Sequence, residues 1–184
     1  MFLDGGIVTV TYLLPDGVAV EERVYSLSHP VASGAGLTLG LLSNGFPDTE
    51  NFLDRLADAL SEALPGVAFR VETKAVLSAA VQEPQLSRMA ADCEAVIVAW
   101  GHCGSCTAGV TRDAMAFAEL GVPTATLICD VFWDYAGWMA RTMGMPALPR
   151  VRIPYPVAGT GEARQREVAR AAVPEILLAL RAHQ

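Results

Sequence analysis

Residues 95–107 read AVIVAWGHCGSCT, and residues 108–120 continue as AGVTRDAMAFAEL. The stretch from Ala95 to Trp100 is an unbroken apolar run of strand length, the pattern of a strand buried on both faces. After Cys103 and Cys106 the apolar residues change to a helical period, which lasts to Leu120. A buried strand that turns directly into a helix is one β/α unit, and the flanking sequence repeats the arrangement. Residues 37–42 form a second buried-type strand. A helix is expected over 49–64, where Phe52, Leu53, Leu56, Leu60 and Leu64 recur at i, i+3, i+4 spacing, and Pro65-Gly66 stops it. Further strands are expected over 67–71, 124–128 and 151–153. Helices are expected over 84–91, 132–143 and from 162 onward, with Pro174 kinking or breaking the last one.

Five strands separated by helices, with no tandem repeat, imply an α/β fold whose parallel sheet is covered on both faces. So many units in so short a stretch point to the flavodoxin-like, doubly wound order, with the core over 37–181. Upstream, residues 7–14 and 18–25 are β-rich and flank Pro15-Asp16-Gly17, a strong turn signal. An N-terminal β-hairpin extension is therefore expected within 1–30, and 1–184 reads as a single domain.

The chain has 184 residues, with 13 Lys and Arg against 20 Asp and Glu, a formal charge of −7. Hydrophobic residues make up 52% and charged ones 18%, which excludes a disordered chain. The acidic balance argues against a nucleic-acid partner, since that affinity rests on Lys and Arg neutralising phosphates. Lys74 is the only lysine. No apolar stretch approaches the roughly 20 residues a bilayer span needs. The N-terminus lacks a basic region and has an early Asp4, so no secretory signal or membrane partner is expected and the location is expected to be cytoplasmic. Surplus apolar surface would be covered most simply by another copy of the chain, a homo-oligomer.

In such sheets function gathers at the carboxyl ends of the strands. Those ends carry Ser43-Asn44-Gly45, His102-Cys103-Gly104-Ser105-Cys106, Cys129-Asp130 and Tyr155-Pro156. In a reducing compartment a close Cys pair points to catalysis or metal binding rather than to a structural bridge. A helix starting near Ser105 would aim its unpaired N–H groups at the sulfurs and lower a thiol pKa. The two-residue spacing lets one thiolate attack and the other resolve the product as a disulfide. Gly104 permits the tight turn, while Ser105 or Thr107 can cap the helix or donate to an oxyanion.

His102 can serve as a base, as a thiolate-stabilising cation, or as a backbone partner within the turn. Asn44, next to Gly45, can offer its amide to a substrate or simply hold a turn. Asp130 can cap the next helix, orient His102 or bind substrate. Cys93 precedes its strand at the opposite end and reads as a core residue; Cys129 lies at the functional edge or in the core. Phe132, Trp133, Trp138 and Met139 read as a core or subunit-interface helix face. Gly34-Ala35-Gly36 precedes a strand and Gly159-Thr160-Gly161 lacks the P-loop lysine, so no nucleotide cofactor is expected. No metal site is expected, because four ligands for a structural zinc are not brought together.

Three separated segments carry a resemblance. LLSNGFPDTENFLDRLADAL (41–60) resembles the opening strand, "DNGKPN"-type loop and helix of the UGSC family of proteins and selenoproteins. CEAVIVAWGHCGSCTAGVTRDAMAFAELGVPTATLIC (93–129) resembles its central segment, named for selenocysteine-Gly-Ser-Cys. MGMPALPRVRIPYPVAG (143–159) resembles its "LGLPDLPLVVLPHPLAG"-type tail. The resemblance implies that Cys103 stands at the selenocysteine-or-cysteine position with Cys106 as partner, which fits a redox or strongly nucleophilic role. Two departures stand out: Tyr155-Pro156 replaces the family's "HP", and Phe46 and Asp48 replace the Lys and second Asn of the loop. Both make the local site less cationic and more apolar, and Tyr155 retains a hydroxyl for a substrate.

The expectation is a cysteine-dependent enzyme acting on a small molecule by thiol-redox chemistry. Cys103 attacks, Cys106 resolves, His102 assists, and Asn44, Asp130 and Tyr155 bind substrate, with a thiol reductant as the second partner. Two alternatives stay open. One is a non-redox Cys103 nucleophile, a lyase, transferase or hydrolase working through a thioether or thioester. The other is a soft-metal-binding protein.

Overall fold

The computed structural model describes residues 20–25 and 36–181. Along the chain run β1 (Thr38–Ser43), α1 (Thr49–Ala63), β2 (Ala68–Thr73), α2 (Gln85–Asp92), β3 (Ala95–Gly101), α3 (Gly104–Glu119), β4 (Thr124–Cys129), α4 (Trp133–Thr142), β5 (Arg150–Ile153) and α5 (Glu162–Arg181). A 3-10 turn, Asp130–Phe132, leads into α4. All strand pairings are parallel, in the order β2-β1-β3-β4-β5. That is the flavodoxin-like order, with its topological switch between β1 and β3.

The period-2 alternation of the strands sends side chains to two cores. On one face Leu39, Leu41, Ile97 and Leu127 meet Phe52, Leu56 and Leu60 of α1 and Val168 and Ile176 of α5. On the other, Leu42, Val96, Val98 and Ile128 meet Met89 of α2 and Val110, Ala114 and Phe117 of α3. β3 and β4 are buried along their whole length. The edge strands β2 and β5 carry exposed positions. Gly40 is needed where it stands: a Cβ there would lie 3.1 Å from both Cys93 Sγ and Met89 Cε.

Of the kink or break expected at Pro174, the break is absent, since α5 continues through it. One missing N–H costs the helix a single i→i−4 bond. Val173 and Ile176, buried on either side of Pro174, hold both halves against the same core. Most of the expected N-terminal hairpin lies outside the described residues; residues 20–25 are assigned to no strand. Within that short piece Tyr25 accepts the Thr124 N–H at its hydroxyl, and Arg23 N–H donates to the Gly144 carbonyl. No helix among the described residues is long and apolar enough to cross a membrane.

Candidate functional site

Three loops meet at the carboxyl edge of the sheet: those following β1, β3 and β5. β3 ends at Gly101, which packs closely: a Cβ there would sit 2.7 Å from Ile128 Cδ1 and 2.9 Å from Thr107 Oγ1, so those side chains would have to shift. The chain then turns into α3 with Cys103 as its N-cap, in an extended conformation. The Cys106 N–H donates to Cys103 Sγ at 3.1 Å, in the place where an oxygen cap usually accepts. Thr107 donates its hydroxyl to the Cys103 carbonyl at 2.7 Å. Helix start and sulfur placement are therefore one structural feature.

Cys103 and Cys106 form a disulfide with a Cα–Cα distance of 5.0 Å. Their environments differ: Cys106 is fully buried, whereas Cys103 is partly exposed and flanked by the exposed Gly104 and Ser105. A side chain added at Gly104 would meet no atom within 4 Å, so the turn is open on its outer side. Ser105 Oγ lies 3.5 Å from Cys103 Sγ. The remaining cysteines are free and buried, on opposite faces of the sheet. Burial pushes the Cys93 thiol up to about 11 and the Cys129 thiol up to about 12. Neither is a thiolate at neutral pH.

His102 is held as a neutral ring. Its Nε2 accepts the N–H groups of Val157 and Ala158, each at 3.2 Å, and burial lowers its pKa. A proton on Nε2 would replace two attractive contacts by donor–donor repulsion. Of the readings open for His102, these bonds describe the backbone partner: the imidazole pins the loop after β5 to the β3–α3 turn. The ring is packed among Phe46 (5.1 Å), Trp100 (5.3 Å) and Tyr155 (4.8 Å between centroids). Phe132 approaches Tyr155 edge-on at 6.2 Å. The family's Lys and His positions, here Phe46 and Tyr155, thus contribute to one aromatic wall.

Asn44 is likewise turned inward. It is buried, donates Nδ2 to the Trp100 carbonyl at 3.0 Å, and accepts from Phe46 N–H (3.1 Å) and Thr49 Oγ1 (3.3 Å). Of its two readings, the turn is the one these bonds describe, with β1 and β3 joined at their ends. Gly45 takes a positive φ of 76°, open to glycine, and donates its N–H to Ser43 Oγ. Asp130 is exposed and accepts the Val131 N–H at 2.7 Å, at the start of the turn into α4. Tyr155 is 48% exposed, the most open ring of the aromatic wall.

One constellation escaped the sequence reading. Lys74 donates to Asp113 Oδ2 at 2.5 Å and to the Ala79 carbonyl at 2.7 Å, while Asp113 Oδ1 accepts the Val81 N–H. Both side chains are buried. Burial pushes the Asp113 carboxyl up to about 6, against the pull of the Lys74 ammonium. Cys106, Gly109 and Asp113 fall at i, i+3, i+7 on one face of α3, and Gly109 leaves room for the loop carrying Leu77. A charged residue on an apolar helix face, in a chain with a single lysine, was the available signal. Among the described residues no group of three or more His, Cys, Asp or Glu could hold a metal ion.

Compared with known proteins, the chain matches the family model described as UGSC family over residues 11–182. No curated protein matches it. Among solved structures it is similar to a diflavin flavoprotein A3 from Nostoc sp., at 17% identity and a TM-score of 0.45, covering 79% of this chain and 94% of that one. It is also similar to the flavodoxin-like domain of a Synechococcus sp. protein, at 12% identity and a TM-score of 0.40, covering 75% and 94%. The fold assignment rests on the strand order itself.

Proposed function

We propose, from the premise that the chain belongs to the UGSC family, that it is a thiol-dependent enzyme reducing a small molecule through Cys103 and Cys106. The observation that carries this reading is the unequal pair: a disulfide at the start of a 16-residue helix, one sulfur reachable and one buried. In the reduced protein the Cys106 N–H and the helix N-terminus favour the Cys103 thiolate. That thiolate attacks the electrophilic atom of the substrate. The Cys106 thiolate then attacks Cys103 Sγ, closing the disulfide as the bond between Cys103 and the substrate breaks. The two thiols lose two electrons and two protons, and the substrate gains them. A thiol reductant restores the pair by exchange. Ser105 stands beside Cys103 Sγ, Tyr155 offers its exposed hydroxyl, and the aromatic wall gives an apolar part of the substrate a surface.

Oxidised glutathione serves as a probe substrate. The reduced wild type is expected to end as the intramolecular disulfide without an adduct. Cys106→Ser should stop as a mixed disulfide on Cys103, read by mass spectrometry, and Cys103→Ser should not react at this site. Full multiple turnover by Cys106→Ser would exclude the resolving step. The openness beside Gly104 favours one second reading, a non-redox Cys103 nucleophile. A stable substrate adduct on Cys103 in the wild type would select it.

A further inference from the structure

A trough along α4 gathers positive charge in this acidic chain. Its volume is about 240 Å³, and Trp133, Asp134, Gly137, Arg141 and Arg150 line it. Arg150 and Arg152 alternate on β5, so both point to the α4 side of the sheet. Their guanidinium carbons lie 4.6 and 4.5 Å from the centre of the Trp133 ring. Arg150 also donates to the Trp133 carbonyl at 3.2 Å. Gly137 makes this position possible: a Cβ there would come within 2.6 Å of the Arg150 Nη1.

Among the described residues no carboxylate forms a salt bridge with Arg141, Arg150 or Arg152. Arg70 and Arg88, by contrast, are both paired with Glu72. Burial and the neighbouring Arg141 and Arg152 lower the Arg150 pKa, with only Asp134 acting in the opposite sense. Arg141 and Arg150 line the trough against one acid, Asp134, and Arg152 shares the Trp133 ring with Arg150, so positive charge is in surplus there. Two guanidiniums sharing one indole ring repel each other, and a nearby anion would offset that repulsion.

We propose that this trough binds the phosphoryl group of a small phosphate or phosphomonoester, independently of the thiol chemistry. A phosphoryl group is tetrahedral, carries close to two charges and accepts hydrogen bonds from several directions, which suits arginines arriving from β5 and from α4. A carboxylate is planar, holds one charge and occupies a single guanidinium fork.

Calorimetric titration at low salt tests the site, with inorganic phosphate and glycerol phosphate as probes and sodium chloride as the ionic-strength control. Saturable one-to-one binding is expected, and the tighter probe identifies free phosphate or a phosphomonoester as the source. Arg152→Gln, at an exposed position, and Gly137→Ala, which displaces the Arg150 guanidinium, should each weaken it about tenfold or more. Arg112→Gln, on α3, should bind as the wild type does. Heats no larger than those of sodium chloride would overturn the proposal. So would unchanged binding in the folded Arg152→Gln protein, or equally tight binding of malonate.

Discussion

The two flanks of the sheet handle charge in opposite ways. On the β2 side the charges of the strand and of the loop after it are matched within the protein. Lys74 and Asp113 tie the loop after β2 to α3, and Glu72 accepts from both Arg70 and Arg88. On the β5 side the corresponding loop is tied by a neutral imidazole, and the arginines of β5 rest on an indole without carboxylate partners. The β2 flank uses polar chemistry to fix shape. The β5 flank leaves an aromatic wall around His102 and positive charge over Trp133.

The largest effect that would test this contrast is at the buried ion pair. Asp113→Ala leaves the Lys74 ammonium buried without its partner, which should cost about 3–5 kcal/mol in urea denaturation. The double replacement Lys74→Met, Asp113→Leu should recover most of that loss. A cost below about 1 kcal/mol for Asp113→Ala would remove the distinction between the flanks.

A smaller effect is expected at His102. His102→Ala leaves the buried Val157 N–H without an acceptor, at about 1–3 kcal/mol, while the part-buried Ala158 N–H can turn to water. Because burial lowers the folded-state pKa of His102, the unfolded chain binds the extra proton. The wild type should therefore lose stability as pH falls below the ordinary histidine value of 6.5, and the variant should lack that part of the curve. A histidine that served mainly as a base for Cys103 would instead shift the pH profile of Cys103 alkylation while leaving the stability curve unchanged.

The smallest of the three lies at Glu72. The Arg88 guanidinium, then Arg70 and Gln85, hold its carboxyl well below the usual range, at about 2. A depressed carboxylate stabilises the fold above its unfolded pKa, and that contribution is lost as pH falls from about 4.5 to about 2. Its arginine partners are partly exposed, so Glu72→Gln should cost only about 1 kcal/mol at neutral pH and flatten the acid limb of the stability curve.

The sequence by itself determined the strand and helix order and the place of the thiols. Continuous apolar runs such as 95–100 carry the signal of a doubly covered strand locally, and a CxxC at a strand-to-helix junction defines its own geometry within one turn. The tertiary structure decided what the polar residues around those thiols do. Asn44 and His102 were legible as residues of the carboxyl edge, yet their hydrogen bonds reach Trp100, Val157 and Ala158, which lie 55 or 56 positions along the chain. The Lys74–Asp113 pair spans 39 positions, and the arginines of β5 meet Trp133 only because β5 lies beside α4. Hydrophobic period is a property of neighbours in sequence, whereas a hydrogen bond or ion pair depends on which loops the sheet order brings together. Whether a side chain faces a substrate or its own backbone is settled there.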